Sequence, residues 1–160
     1  SDQIERMSHL KAIPSFFITH TYFWGDRHYA IFMGPERAVR MSPTGDALRC
    51  NLPFTLHNDT YVTPIDPLLL VWSAVNRLSY RGRDLGKAEQ GIPVLEALKG
   101  ITINAARQGF EEGVKGSIEP GKFADFVVLD ENPLAVDPMH LKDIEIAATI
   151  VGDVLAYGAL

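Results

Sequence analysis

Apolar residues in the first part of the chain fall into two compact runs, each with the length of a buried strand. These runs cover residues 13–18 and 52–57, and each has a proline near its entrance. Neither run alternates cleanly between apolar and polar positions, which is typical of strands buried on both faces. The connection between them is long for a compact domain, and long connections usually carry function or short helices. The pattern predicts two buried strands joined by a functional segment.

Helical spacing and capping signals occupy much of the sequence around these runs. Asp2 and Glu5 fit a capping box at the start of a short first helix. Asp66 is suited to cap a helix whose first position is Pro67, because the first turn tolerates proline. A further helix is expected to start at Pro93, and residues 104–110 either continue it or form a separate turn.

The connection between the strands combines an aromatic part and a proline-containing part. Residues 20–32 are rich in aromatic side chains and are interpreted as a loop. Pro35 and Pro43 stand where helices can begin, with Ser42 as the expected N-cap of the second. Residues 81–91 are polar and contain glycine, so a surface loop is predicted there.

Beyond residue 113 the pattern changes to short strands divided by turns. Strands are expected at residues 117–118, 125–129 and 147–151. Pro120 followed by Gly121 predicts a type II turn, because glycine accepts the positive dihedral angle. Gly152 with Asp153 predicts a tight hairpin, since aspartate tolerates left-handed backbone angles better than most residues. A boundary near residue 110 therefore divides the chain into segments 1–110 and 111–160.

Composition excludes several classes of protein. The net charge is −5 and lysine and arginine do not cluster, so nucleic-acid binding is not expected. No apolar run approaches the roughly 20 residues that a membrane span needs, and the chain does not start like a signal peptide. Cys50 is the only cysteine, which excludes an intrachain disulfide and a thiolate zinc site. The cytoplasm is the expected compartment.

Two motifs carry the most specific information. The first, residues 57–68, reads HNDTYVTPIDPL, in which a strand end is followed by a carboxylate, a proline-rich turn and a helix. The second, residues 116–130, reads GSIEPGKFADFVVLD and follows TINAA at residues 102–106. Together they resemble the C-terminal signature of the amidohydrolase superfamily. The closer similarity is to its branch of N-substituted formamide deformylases and exoenzyme-regulatory-protein-like hydrolases, whose loop after barrel strand 7 is similar to residues 19–26.

This resemblance implies a (β/α)8 barrel that binds one or two divalent metals, most simply zinc, joined to a small β-sandwich. The implied ligands are a His-x-His pair, a mid-barrel Lys or Glu, two histidines and an aspartate on strand 8. Asp59 matches that aspartate. A carboxylate there can bind the metal and take a proton from the attacking water. Spacing alone favours a turn or N-cap aspartate at position 59, and it is the resemblance to the family that favours a metal ligand.

Length limits what the chain can do alone. A complete barrel of this kind needs about 250 residues, whereas the chain has 160 and contains no His-x-His sequence. The expected fold is therefore α/β plus β, with the last two β/α units of a barrel in 1–110 and half of a β-sandwich in 111–160. The isolated chain is expected to be inactive, to bind zinc weakly and to self-associate through apolar surfaces that a partial barrel exposes.

Other candidate residues have weaker support. His20 opens the aromatic segment after a strand, and Tyr22 and Trp24 could line an apolar substrate pocket. Each is equally compatible with a packing role. His57 is interpreted as a packed or hydrogen-bonded core histidine. The five positions without an expected catalytic role are His9, His28, Cys50, Asp125 and His140, of which Asp125 is expected to accept hydrogen bonds from the turn at 120–121.

The favoured function is hydrolysis of a C–N bond in a non-peptide amide, formamide or cyclic amide by the complete enzyme, with a metal-activated water and Asp59 as ligand and proton shuttle. The partner is then a small amide-type substrate, with neither nucleic acid nor membrane. Two alternatives remain open. One is a non-catalytic interaction or regulatory module, and the other is a small-molecule binding domain that uses the aromatic segment.

Overall fold

Two short parallel strands form the first structural unit of the molecule. A computed structural model describes residues 2–159. Strand β1 (Ser15–Phe17) pairs with β2 (Thr55–His57). The backbone N–H of Thr55 also donates to the carbonyl of Pro14 at 2.9 Å, so the proline lies just before the strand, where its missing donor is harmless. Both predicted strands are confirmed, but each is shorter than the apolar run that indicated it.

The connection from β1 to β2 is helical rather than a loop. Its elements are α2 (Thr19–Arg27), a π-helix (His28–Phe32), α3 (Pro35–Ala38) and α4 (Thr44–Arg49). The prediction of an aromatic loop over residues 20–32 is therefore wrong. The buried positions of α2 are Thr19, Thr21 and Gly25, so its packed side is small rather than apolar. A Cβ on Gly25 would lie 2.2 Å from Leu85 Cδ1, which shows how closely this helix approaches its neighbour.

Capping predictions succeeded at one helix and failed at another. Helix α5 (Pro67–Asn76) begins as expected, because Asp66 Oδ1 accepts a hydrogen bond from the Leu69 N–H at 2.9 Å. At α4 the predicted N-cap Ser42 is wrong, since Pro43 occupies that position. Ser42 instead has a left-handed φ of 44°, and its hydroxyl donates to the Phe17 carbonyl.

Helix α5 is the centre of the core. All residues from 68 to 76 are buried, and the apolar cluster around them includes Ile18, Leu56, Leu141 and Ile144. The remaining helices are α1 (Asp2–His9), α6 (Lys87–Gln90), α7 (Val94–Ile101) and α8 (Ile103–Gln108). The helices predicted at the chain start and after Pro93 are thus confirmed. The short α8 is separate from α7, which resolves one of the two expectations for that stretch.

A 3₁₀ helix (Pro138–Asp143) packs against α5 and ties the later part of the chain to the core. Trp72 Nε1 donates to the Met139 carbonyl at 2.9 Å, and Asn76 Nδ2 donates to the Pro138 carbonyl at 2.8 Å. Contacts therefore cross the expected boundary near residue 110, and the division into 1–110 and 111–160 stays a prediction. None of the helices within residues 2–159 combines the length and apolar character needed to cross a membrane.

The final part of the chain forms a three-stranded antiparallel sheet. Its strands are β3 (Phe126–Leu129), β4 (Ile146–Val151) and β5 (Val154–Gly158), in that spatial order. The β4–β5 hairpin is confirmed, with φ of 56° at Gly152 and 68° at Asp153, as a turn with two left-handed residues requires. The Pro120–Gly121 turn is also confirmed, because Lys122 N–H donates to the Glu119 carbonyl and Gly121 has φ of 92°.

Two predictions in this region need correction. Residues 117–118 are not a strand. Asp125 does not bond to the turn at 120–121; its Oδ1 accepts from the Gly152 N–H at 2.8 Å. The reason is sheet topology. Antiparallel pairing of Phe126 with Ile150 brings the residue before β3 beside the β4–β5 turn.

The buried side chain of Arg77 links three segments of the chain by hydrogen bonds. Arg77 is fully buried just after α5, and its guanidinium donates to the carbonyls of Met41, Ser42 and Leu85 at 2.6 to 3.2 Å. Burial lowers the pKa of Arg77 to about 10, opposed by the charge of Asp84. Residues 81–91 are thus only partly the predicted surface loop, because Leu85 and Gln90 are buried and α6 lies within them.

We expect Arg77→Met to lower the free energy of unfolding by about 3 kcal/mol or more, because each buried carbonyl left without a donor costs roughly 1–3 kcal/mol. Urea unfolding measures the change. The matched control is Arg107→Met at an exposed position of α8, because methionine and arginine have similar helix propensities. Equal stability of the two variants would contradict a clamping role for Arg77.

Candidate active-site edge

The candidate site lies where β1 and β2 end. Because the strands are parallel, the residues that follow Phe17 and His57 leave the sheet at the same edge. The rings of Phe17 and His57, which are register partners, stack with centroids 5.4 Å apart. In α/β proteins the carboxyl ends of parallel strands are where ligands bind. Side chains that follow the two strands are therefore well placed to contact a ligand.

Asp59 lies two residues beyond β2 at this edge. It is exposed and has a left-handed φ of 51°. Within residues 2–159 its carboxylate takes part in neither a hydrogen bond nor an ion pair. Capping of α5 belongs to Asp66 instead. The side chain that the sequence singles out therefore remains available to a ligand.

The segment after Asp59 is held by its own hydrogen bonds. Asn58 Nδ2 donates to the Pro64 carbonyl at 2.8 Å, and the Thr63 hydroxyl donates to the carbonyl of Asn58. The hydroxyls of Thr63 and Thr19 also lie 3.2 Å apart, so the start of α2 is tied to this loop. These bonds fix the backbone on either side of Asp59 and link the two segments that leave the sheet.

His20 is part of a column of rings at the same edge. The column comprises His57, Phe17, His20, Trp24, His28 and Phe32. His20 stacks on Phe17 with centroids 5.3 Å apart and also contacts Trp24 at 5.4 Å. Phe17 thus lies between the rings of His20 and His57, at interplanar angles of 21° to each. His57 is half-buried in this stack, in line with its interpretation as a packed histidine.

Tyr22 points to a different part of the molecule. Its ring meets Trp72 edge-on at 5.5 Å and Tyr80 at 5.7 Å, so it packs between α2, α5 and the segment after α5. Trp24, in contrast, contacts Phe17 and His20. The structure therefore brings His20 and Trp24 together and places Tyr22 elsewhere. Substrate contacts by these three residues stay a prediction.

The residue that sequence reasoning missed is His28. Its Nε2 lies 2.9 Å from Nε2 of His20, at hydrogen-bond distance. The two histidines are eight residues apart, slightly more than two helical turns, which places them on neighbouring faces. A separation of eight residues predicts such a contact only in a helix, whereas the sequence predicts a loop over residues 20–32. The other unassigned histidines, His9 and His140, are exposed, and Cys50 is a half-buried free thiol packed against the core.

The surroundings of His20 favour its neutral form. Burial lowers the pKa of His20 below its ordinary 6.5, and the nearby His28 lowers it further. Both effects disfavour the imidazolium form. His20 is therefore suited to act as an uncharged hydrogen-bonding group.

The His, Cys, Asp and Glu side chains of the chain offer few ligands to a metal ion. In the part of the chain that the structure describes, no group of three or more His, Cys, Asp or Glu side chains could hold a metal ion. Protein metal sites need three or four such ligands. These residues alone therefore do not fit a metal centre, and Asp59 could supply only one ligand to it.

A separate groove of about 870 Å³ lies beside the C-terminal half of α2. It is lined by Phe23, Arg27, Ile31, Tyr80 and residues 81–83, together with Asp26. Arg83 pairs there with Asp26 at 3.0 Å and lies over the ring of Tyr29. No member of the ring column lines it. This groove is therefore distinct from the edge that presents Asp59.

Similarity to known proteins identifies the class of this protein. The profile of the amidohydrolase family matches residues 1–157. The chain therefore belongs to the amidohydrolase family. The resemblance of the two motifs is confirmed.

Individual relatives are consistent with this class. The chain is 37% identical over 103 residues to YtcJ of Bacillus subtilis, whose name assigns it provisionally to the amidohydrolases; this covers 62% of the chain and 19% of YtcJ. It is 29% identical over 122 residues to the N-substituted formamide deformylase of Arthrobacter pascens, covering 76% of the chain and 22% of that enzyme. The chain thus spans about a fifth of the length of these curated relatives.

Solved structures agree on the fold. A metal-dependent hydrolase of uncharacterised function from Pyrococcus horikoshii superposes with a TM-score of 0.72 and 26% identity, covering 88% of this chain and 28% of that one. Structural neighbours are therefore amidohydrolase-fold proteins. Family membership together with this neighbour supports a metal-dependent hydrolase.

Acidification should destabilise the chain through His20. Its folded pKa is depressed, so its contribution to stability is complete above pH 6.5 and declines as pH falls below that value towards the folded pKa. We expect unfolding free energy to fall between pH 7.5 and 5.5, and to fall less in His20→Gln. Urea titrations at both values measure it, with the same substitution at exposed His140 as the matched control. An unchanged pH dependence in His20→Gln would contradict this assignment.

Proposed function

We propose that this chain is the C-terminal part of a metal-dependent amidohydrolase that cleaves a non-peptide C–N bond. The bond is in an amide, formamide or cyclic amide, and Asp59 is the metal ligand and proton shuttle. The observation that carries the proposal is the position of Asp59, two residues after β2, where its carboxylate is exposed and has no hydrogen-bond or ion-pair partner among residues 2–159. The name of the Arthrobacter pascens relative, an N-substituted formamide deformylase, supports the choice of bond.

In this proposal β1 and β2 are the last two strands of a (β/α)8 barrel. Their parallel pairing and the helices after each strand are consistent with two β/α units. The antiparallel sheet of β3, β4 and β5 would then be one half of a small β-sandwich. The rest of the barrel, and the metal ligands other than Asp59, would come from segments outside these 160 residues.

The chemical role of Asp59 follows from its residue type and its setting. A divalent metal, zinc in the simplest case, would supply a water made acidic enough to attack a carbonyl at neutral pH. Asp59 would be one of the residues that hold this metal, and its carboxylate would be the base that takes the proton and passes it to the leaving amine. The hydrogen bonds of Asn58 and Thr63 hold the backbone that presents it.

Substrate contacts would come from the connection between β1 and β2. His20 and Trp24 lie together at the edge, and an apolar or aromatic substituent of the substrate could pack against Trp24. Tyr22 would contribute only from its position between α2 and α5. The partner is therefore a small amide-type molecule.

The exposed face of β5 favours a second candidate, a non-catalytic interaction module. All five strand residues are exposed, including Val154, Leu155 and Tyr157. Apolar strand edges of this kind promote association. The same surface would explain self-association of the chain, so the two candidates are separated by metal-dependent activity rather than by oligomeric state.

In the complete enzyme we expect Asp59→Asn to lower kcat by about 10²–10⁴-fold, because general acid–base catalysis contributes that much. The control is Asp153→Asn, which makes the same change at another left-handed aspartate, outside the edge. Steady-state amidase assays on a panel of N-substituted formamides and cyclic amides measure both variants. Activity of Asp59→Asn equal to that of the control would refute the proposed role.

The isolated chain should bind zinc weakly and hydrolyse no amide. The physical reason is that the described residues contain no cluster of three ligands, whereas structural zinc sites close with four. Isothermal titration with zinc chloride measures the affinity. Tight one-to-one binding by the 160-residue chain would show that it assembles a metal site on its own and would overturn the proposed division of ligands.

A further inference from the structure

The contact between His20 and His28 needs a proton in a defined place. Their Nε2 atoms are 2.9 Å apart and their ring planes are inclined by 62°. A neutral imidazole has one N–H donor and one bare acceptor nitrogen. For the two rings to bond at this distance, one Nε2 must carry hydrogen and the other must not. The pair therefore has two possible arrangements when both rings are neutral.

The second nitrogen of His28 decides between them. His28 Nδ1 is buried and has no hydrogen-bond partner within the described residues. If it carried the proton, a buried N–H would be orphaned, which is rare in folded proteins. If it is the bare nitrogen, then His28 Nε2 carries the proton and donates it to His20. The second arrangement leaves only an unused lone pair in the interior.

His20 is then fixed as the opposite tautomer. Its Nε2 accepts from His28, so its own proton is on Nδ1. Within residues 2–159 this Nδ1 has no hydrogen-bond partner. It is not a fully buried atom, so solvent can reach it. The stack on Phe17 and the contact with Trp24 hold the ring plane.

We propose that His28 is a positioning residue that holds His20 as a neutral imidazole with its proton on Nδ1, and that His20 is thereby a hydrogen-bond donor for the carbonyl oxygen of the amide substrate. This inference rests on the proposed function and deepens it, because it assigns a role in that reaction to each histidine. A donor fixed in advance stabilises negative charge that develops on a carbonyl oxygen during attack.

A neutral donor suits an edge that, in the proposed function, would also bind a cation. An imidazolium would repel a nearby divalent metal, whereas a neutral ring can donate without that cost. The groups packed on the pair reinforce neutrality. Phe17, Trp24 and Phe32 present rings to it, and His57 lies behind Phe17. Burial, and after it the neighbouring His28, lower the pKa of His20.

Ring ¹⁵N NMR of the histidine-labelled 160-residue chain tests the tautomers directly. We expect His20 to carry its proton on Nδ1 and His28 on Nε2 at pH 7.5, with His20 titrating below 6.5. The His28→Leu variant removes the donor, so the His20 proton should redistribute towards Nε2. The His28→Gln variant can still donate from its side-chain amide and should restore the Nδ1 proton. Exposed His140→Leu is the control and should leave the His20 signals unchanged.

Kinetics of the complete enzyme test the consequence. Losing one oxyanion donor costs about 10²–10³ in kcat, so misplacing it by His28→Leu should lower kcat by about 10–10²-fold with little change in KM. Recovery in His28→Gln would separate positioning from a general folding defect.

The NMR and kinetic measurements test the positioning role and the proposed function separately. Absence of amidase activity in the complete enzyme would refute the proposed function but would not change the tautomers found by NMR. The positioning role is overturned if His20 carries its proton on Nε2 in the wild-type chain. It is overturned equally if His28→Leu leaves the His20 ring signals unchanged.

Discussion

Pairing between β1 and β2 is the constraint on which the candidate site depends. Their parallel register places Phe17 beside His57, and this sets where the chain leaves the sheet on each side. A shift of one residue would turn every side chain of a strand to the opposite face. Phe17 would then leave the gap between the two histidine rings, and Asp59 would emerge from a different place. The pairing is short, so the helices around it must hold it.

The helices hold the β1–β2 pairing because they pack closely on the core and on each other, and not only because they bury large apolar side chains. Helix α5 is buried along nearly its whole length, while the fully buried positions of α2 are the small residues Thr19, Thr21 and Gly25. Small residues allow two backbones to approach closely, and the hydroxyl of Thr19 reaches Thr63 beyond Asp59. The same helix that packs on the core thus fixes the loop that presents the carboxylate.

Features governed by local chemistry could be predicted from the sequence, and those governed by distant contacts could not. The Asp66 cap and the Gly152–Asp153 hairpin depend on neighbouring residues, so their signals are visible in the chain. Asp59 could be found by its place after an apolar run and in a motif. Helix α2 was missed because its buried side is small and polar, which leaves no apolar period. The His20–His28 bond was hidden for the same reason.

Arg77 also has a consequence for how the molecule opens. One guanidinium holds the carbonyls of Met41 and Ser42, in the first connection, and that of Leu85, in the segment after α5. If either segment moves away from α5, the buried guanidinium of Arg77 loses hydrogen-bond acceptors. Fluctuations of the two are thus coupled, and their amide protons should exchange with solvent as one cooperative unit. The first connection also contains His20 and His28, so the ordering of the ring column is linked to a residue remote from it in sequence.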